Sequence, residues 1–92
     1  MTEIEKIALA MGLLPDELTS SRRTTELMIS RRIAIWYLHE VKGYSYTDIA
    51  RLLNKERSTI VFHRHRHHDA LRTWRAYSEA FRKFMKTMVN NI

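Results

Sequence analysis

The chain contains no cysteine, one proline and two glycines. Without cysteine there are no disulfides and no thiol chemistry, which fits a reducing compartment. So little proline and glycine argues against long flexible linkers, and no repeat or low-complexity segment stands out. No stretch approaches the ~20 apolar residues that span a bilayer. The N-terminus, "MTEIEKIALAMG", has no basic region before its short apolar run and does not read as a secretion signal. There is no G-x-x-x-x-G-K-[ST] and so no phosphate-cradling loop of the ATPase kind. The acids are scattered and no Ser/His/Asp pattern occurs, which argues against an enzyme. These absences lead us to expect a soluble cytoplasmic protein with no cofactor and no small-molecule substrate.

What is present is an apolar fraction of 45% in 92 residues, enough for one core and one domain spanning 1–92. Such a domain buries only about 60–65% of its unfolded surface, so stability is expected to be modest. The formal charge is +6 and unevenly placed. Residues 1–20 set Glu3, Glu5, Asp16 and Glu17 against Lys6, a net of −3. Residues 21–75 set twelve basic side chains against five acidic ones, a net of +7. A basic field confined to the middle of the chain favours a polyanionic partner, with nucleic acid first and an anionic membrane second.

Periodicity predicts about six helices and an all-α fold. Thr2 and Glu5 have the spacing of a capping box, and Ile4, Ile7, Ala8 and Met11 follow at helical intervals. Gly12 suits a C-cap, Pro15 the first turn of a short helix "PDELTS", and "SSRRTT" an exposed basic loop. From about 26 to 41 the pattern is helical again, with Ile33, Ala34, Tyr37, Leu38 and Val41 on one side and Gly43 as the stop. Ser45 and Asp48 resemble a second capping box, Ile49, Leu52 and Leu53 give a short apolar face, and "NKE" is a polar turn.

The stretch "ERSTIVFHRHRHH" (56–68) discriminates between structures. As a strand, neither of its faces could pack on a core. As a helix, Ile60, His63, His67, Ala70, Leu71 and Trp74 share one face, while Ser58, Phe62, His65, Arg66 and Asp69 look away. The helix is the better reading. A last amphipathic helix turns Tyr77, Ala80, Phe81, Phe84 and Met88 inward, and its boundary falls between Arg72 and Ser78. Residues 45–74 thus form a short helix, a tight turn and a longer helix, the outline of a helix-turn-helix.

A recognition helix enters the major groove by its N-terminal end, so its first turn must be small, polar and positive. "ERST" meets this. Arg57 can pair bidentately with guanine, and Ser58 and Thr59 offer hydroxyls and a methyl to base edges; Ser58 equally suits a helix cap. Glu56 completes the base-facing group. Arg22 and Arg23, on a polar loop, suit the concentrated negative potential of a minor groove. Arg31, Arg32, Lys55, Arg64 and Arg66 are expected to meet phosphates.

The segment from Leu18 to His63 resembles the C-terminal DNA-binding domain, domain IV, of the bacterial replication initiator DnaA. That family shows "DLL", a "KRRS" loop, "RPRQIA", "SLPEIG" and "GGRDHTTVLHA". Here the counterparts are "DEL" (16–18), "SSRRTT" (20–25), "SRRIA" (30–34), "SYTDIA" (45–50) and "NKERSTIVFH" (54–63), in order and at matching spacing. The resemblance implies a Trp-repressor-like fold binding a short duplex as a monomer. It also implies minor-groove contact at Arg23 and phosphate contact at Arg31, Arg32, Tyr46 and Thr47. The base-reading "DHT" falls on Glu56, Arg57 and Ser58 if one turn residue is deleted, the register its chemistry favours. Without the gap it falls on Arg57, Ser58 and Thr59, and His63 then matches the signature histidine. In either register Arg57 disturbs the acidic–histidine pair, and the two-glycine turn is absent, so the preferred DNA should differ from the initiator's own. A small regulator from a phage or mobile element on the same fold, and a helical protein-interaction domain, are the competing readings.

His63 and His67 have the i, i+4 spacing of two metal ligands, but a third ligand would have to come from His39 or a distant carboxylate. Packed histidines flanking a basic helix are the simpler reading. The last helix could lie on lipid through Phe81, Phe84 and Met88, yet in so small a domain these residues are needed for the core or a dimer contact. A strong chelator is therefore expected to leave helix content and DNA binding unchanged; loss of binding, restored by zinc, would reinstate a metal site.

Overall fold

A computed structural model describes residues 1–90 and contains six α-helices, with no strand among the described residues. They are α1 (Glu3–Ala10), α2 (Pro15–Thr19), α3 (Thr25–Trp36), α4 (Tyr46–Leu53), α5 (Arg57–Thr73) and α6 (Arg75–Asn90). Local chemistry explains most of their ends. Thr2 and Glu5 form a reciprocal capping box on α1. Gly12, at φ 72°, supplies the left-handed residue after α1, a conformation a Cβ would penalise. Pro15 opens α2, and Thr24 caps α3 by accepting from the Leu27 amide. Ser45 likewise caps α4, accepting from the Asp48 amide. Only that half of the expected second box forms, because the Asp48 carboxylate leans toward Arg51 instead.

The core is organised around α3, which packs against α2, α5 and α6. Leu27, Ile29 and every residue from Arg31 to Ile35 are buried, so this helix has no solvent stripe over its second half. It continues into a π-helical turn, Tyr37–Val41, closed by the Lys42 amide on the Tyr37 carbonyl at 3.1 Å. The wider turn carries one more residue per revolution and shifts the phase of the helix. Val41, expected on the apolar side, is consequently 52% exposed. Gly43, at φ 74°, then ends the segment, with the Tyr44 amide bonded back to Leu38.

Helix α4 buries Ile49 and Leu53 and packs on α5, whose Ile60, His67 and Ala70 face inward as the periodicity predicts. The break before α6 is at Trp74, in an extended conformation, whose carbonyl receives the Ser78 amide. Tyr77 and Phe84 of α6 are buried, and Phe81 and Met88 pack partly buried on the same cluster, so these apolar groups belong to the core. No helix among the described residues is long and apolar enough to cross a membrane.

The middle of this core is polar and aromatic. His67 stacks on Trp36 at 5.1 Å and its Nδ1 lies 2.6 Å from the Tyr77 hydroxyl. Arg32 donates from Nε to His63 Nδ1 at 3.2 Å, which requires a neutral imidazole there. Desolvation first, then nearby cations, lowers both histidines to about 4. The cations are Arg32, Arg31 and Arg66 for His63, and chiefly His68, Arg64 and Arg32 for His67. Burial pushes the Tyr77 phenol upward, so the hydroxyl keeps its proton. Among the described residues no three His, Cys, Asp or Glu side chains come together.

The unfolded chain protonates these histidines near 6.5 while the folded chain resists until about 4. Between those values the unfolded state holds more protons, so stability is complete above pH 6.5 and is lost as pH falls toward 4. Urea unfolding is expected to give a free energy that is level above pH 7 and declines below 6.5. Each histidine should contribute up to about 1.4 kcal/mol per pH unit. His63→Ala with His67→Phe should flatten the decline; an unchanged slope would mean the two rings are not held neutral.

Candidate nucleic-acid interface

The loop between α2 and α3, the first turn of α3, helix α4 and the start of α5 enclose an open cleft of about 1210 Å³. That exceeds the ~300–1,000 Å³ of ordinary small-ligand pockets. Its rim is basic, with Arg23 on one side and Arg51 and Lys55 on the other. The turn joining α4 to α5 is tight because Asn54 is left-handed, at φ 56°. Asparagine is among the few residues that tolerate this. The Lys55 amide reaches back to the Ala50 carbonyl at 2.9 Å and closes α4.

Glu56 occupies the N-cap of α5 without a side-chain cap bond. Ser58 is the second residue of the helix and so is not its cap. Glu56, Arg57 and Ser58 are exposed and Thr59 is half-buried; Glu56, Ser58 and Thr59 line the cleft. Arg57 leans instead over the Tyr46 ring, 5.8 Å from its centroid, within cation–π reach. Tyr46 is itself stacked on His39 at 4.3 Å, which fixes the wall of α4 beside the first turn of α5. Thr47, exposed, lines the cleft one turn before Arg51.

Several cations expected at phosphates are committed elsewhere. Arg31 and Arg32 lie in the second half of α3, each 7% exposed. Encirclement of α3 leaves them no solvent face. The Arg31 guanidinium donates to the carbonyls of Leu18 (2.9 Å), Glu17 (3.1 Å), Ser20 (2.7 Å) and Arg22 (2.6 Å). It thereby satisfies the open carbonyl end of α2 and pins the basic loop. Burial lowers the pKa of both arginines, and no carboxylate bonds the Arg31 guanidinium among the described residues. Arg64 is spent on Glu40, with its side chain only 15% exposed, and lies off the outer face of α5. Arg32 and Arg64 are thus structural cations rather than free donors.

Lys55 donates to the carbonyls of Thr19 and Ser20, so it buttresses the same loop while still lining the cleft. Arg66 is exposed, its guanidinium 4.3 Å from the Phe62 ring centroid. The two loop arginines diverge: Arg23 lines the cleft, whereas Arg22 borders a shallow recess with Leu13, Glu17 and Glu26. The cleft also contains a cation that sequence reasoning missed, Arg51. The Thr47-to-Arg51 spacing, i to i+4, places both on the face of α4 opposite Ile49 and Leu53 and could have revealed it.

Arg31→Met should remove the guanidinium from four loop and helix-end carbonyls, of which Ser20 keeps Lys55 and Glu17 keeps the Ser20 hydroxyl as donors. An expected cost of about 2–4 kcal/mol follows, together with faster amide exchange over residues 20–24. Arg31→Lys keeps the charge but not the planar fork, and should recover only part of the loss. Unchanged protection of the loop in Arg31→Met would show that the guanidinium does not hold it.

The family described as the bacterial dnaA protein helix-turn-helix matches residues 3–67, from the start of α1 into α5. The chromosomal replication initiator protein DnaA of Pelobacter propionicus is 35% identical over 57 residues. That stretch is 61% of this chain and 13% of the initiator, so the chain spans a small part of its relative's length. The match extends over the loop pinned by Arg31, the α4–α5 turn and the first turn of α5, and the chain belongs to the bacterial DnaA helix-turn-helix family.

Proposed function

We propose that residues 1–92 form a single domain, of the kind found as DnaA domain IV, that binds double-stranded DNA as a monomer in the cytoplasm. The first turn of α5 enters the major groove and Arg23 reaches the neighbouring minor groove from its loop. The observation that carries this reading is the cleft itself: open and basic-rimmed, it is bordered by a helix start that no side chain caps. Unbonded amides at a helix N-terminus favour an anion or a base acceptor.

Arg57, Ser58 and Thr59 are the base readers, with Glu56 at the margin. The left-handed Asn54 stands where the family signature has its first glycine, so the turn needs no deleted residue. This supports the ungapped register, with Arg57, Ser58 and Thr59 in the reading positions, over the gapped one. Tyr46, Thr47, Arg51 and Lys55 surround the first turn as phosphate contacts, Arg66 adds a further contact more than two turns along α5, and Arg22 adds charge on the far side of the loop. Arg31 acts at one remove, by shaping the loop. With Arg57 in the reading turn, the preferred duplex should not be the initiator's own site.

Selection of bound fragments from random duplex DNA tests the reading. An enriched sequence is expected, with log affinity falling against log salt by roughly 0.9 per phosphate neutralised. Arg57→Ala should cost about 1–3 kcal/mol on that sequence and much less on unrelated duplex. Arg23→Ala should weaken binding most on A·T-rich flanks and lower the salt slope by about one. Equal losses on all duplexes for both variants would make the domain a non-specific binder, and no binding at low salt would overturn the proposal.

A further inference from the structure

Phe62 is the one large aromatic side chain on the outer face of α5 among the described residues, and it is 48% exposed. The other aromatic groups near this helix, Trp36, Tyr77 and Phe81, face the histidine side and pack there. Phe62 follows Ser58 by four residues, which puts the two on one stripe, and both line the cleft. The ring is also held in place. Arg66, one turn further on, lies 4.3 Å from its centroid, and the His63 ring meets it edge-on at 5.5 Å. An exposed ring fixed between two neighbours loses little conformational freedom when a ligand covers it.

The question is what apolar group such a ring would meet. With α5 lying along the groove, four residues of helix advance ~6 Å, or about two base steps, beyond Ser58. At that depth the major groove presents mostly hydrogen-bonding edges, which a phenyl ring cannot satisfy. The one apolar feature there is the 5-methyl group of thymine. We propose that Phe62 is a specificity-determining residue that contacts a thymine 5-methyl group in the major groove, about two base pairs from the position read by Ser58. Arg66 covers one face of the ring and keeps its own N–H groups for the adjacent phosphate. The proposal rests on the duplex-binding reading above and adds to it the chemical group that one residue recognises.

Deoxyuridine differs from thymidine only in lacking that methyl. The duplex enriched by the wild-type chain is therefore resynthesised with each thymine replaced in turn by deoxyuridine. At one or two adjacent thymines the wild-type affinity should fall about four-fold, the value of one buried methyl. Phe62→Ala should bind the unmodified duplex more weakly and be indifferent to the replacement. Phe62→Leu, still apolar, should keep part of the sensitivity. Unaltered circular dichroism in both variants is expected, because the side chain is not in the core. If no thymine is sensitive, or if Phe62→Ala retains the wild-type response, the assignment is wrong while duplex binding stands. If the wild type enriches no sequence at all, the duplex-reading proposal fails first and this inference with it.

Discussion

The loop carrying Arg22 and Arg23 takes its shape from beneath, where one buried guanidinium accepts the job of four carbonyls' donor. A short helix such as α2 leaves its last carbonyls open, and a polar loop after it offers more. Arg31 collects both sets from the centre of α3. A cation without a carboxylate is tolerable there because the carbonyl dipoles all point their negative ends at it. Lys55 reaches the Thr19 and Ser20 carbonyls from the α4–α5 turn, so the loop is tied to the helix-turn-helix as well as to α3. The spacing between the loop and the start of α5, which sets the cleft, depends on these two side chains.

A second set of polar groups lies on the other side of α3. Arg32 with His63, and Tyr77 with His67, link α3, α5 and α6, and the first of these bonds needs a neutral imidazole. Stacking of His67 on Trp36, and Phe81 edge-on to both rings, fills the space around them. The basic outer face and this neutral inner face thus share one helix. The same sequence, alternating histidine and arginine, gives both, because helical spacing sends His63 and His67 inward and His65 and Arg66 outward.

Much of this was legible from the chain. Caps and stops at Thr2, Gly12, Pro15 and Gly43 follow from chemistry within four residues, and the two faces of α5 follow from period alone. What could not be read depends on partners distant in sequence. Arg31 and Arg32 looked like surface cations because nothing local announces that α3 is surrounded. Arg64 looked free because Glu40, its partner, lies 24 residues away. Val41 was misplaced by a π turn, whose extra residue no periodicity reveals in advance. The turn at 54–56 needs no glycine because asparagine also accepts a left-handed backbone.

The uncapped start of α5 has an evolutionary consequence. Arg57 and Ser58 contribute nothing to the core, and no cap bond would be lost by changing them. Substitutions at such positions usually alter stability by less than about 0.5 kcal/mol. The guanidinium and histidine networks that fix the frame lie elsewhere, so selection can act on the two surfaces separately. Under the proposed reading, substitutions at these exposed positions change the preferred duplex while the scaffold beneath stays folded.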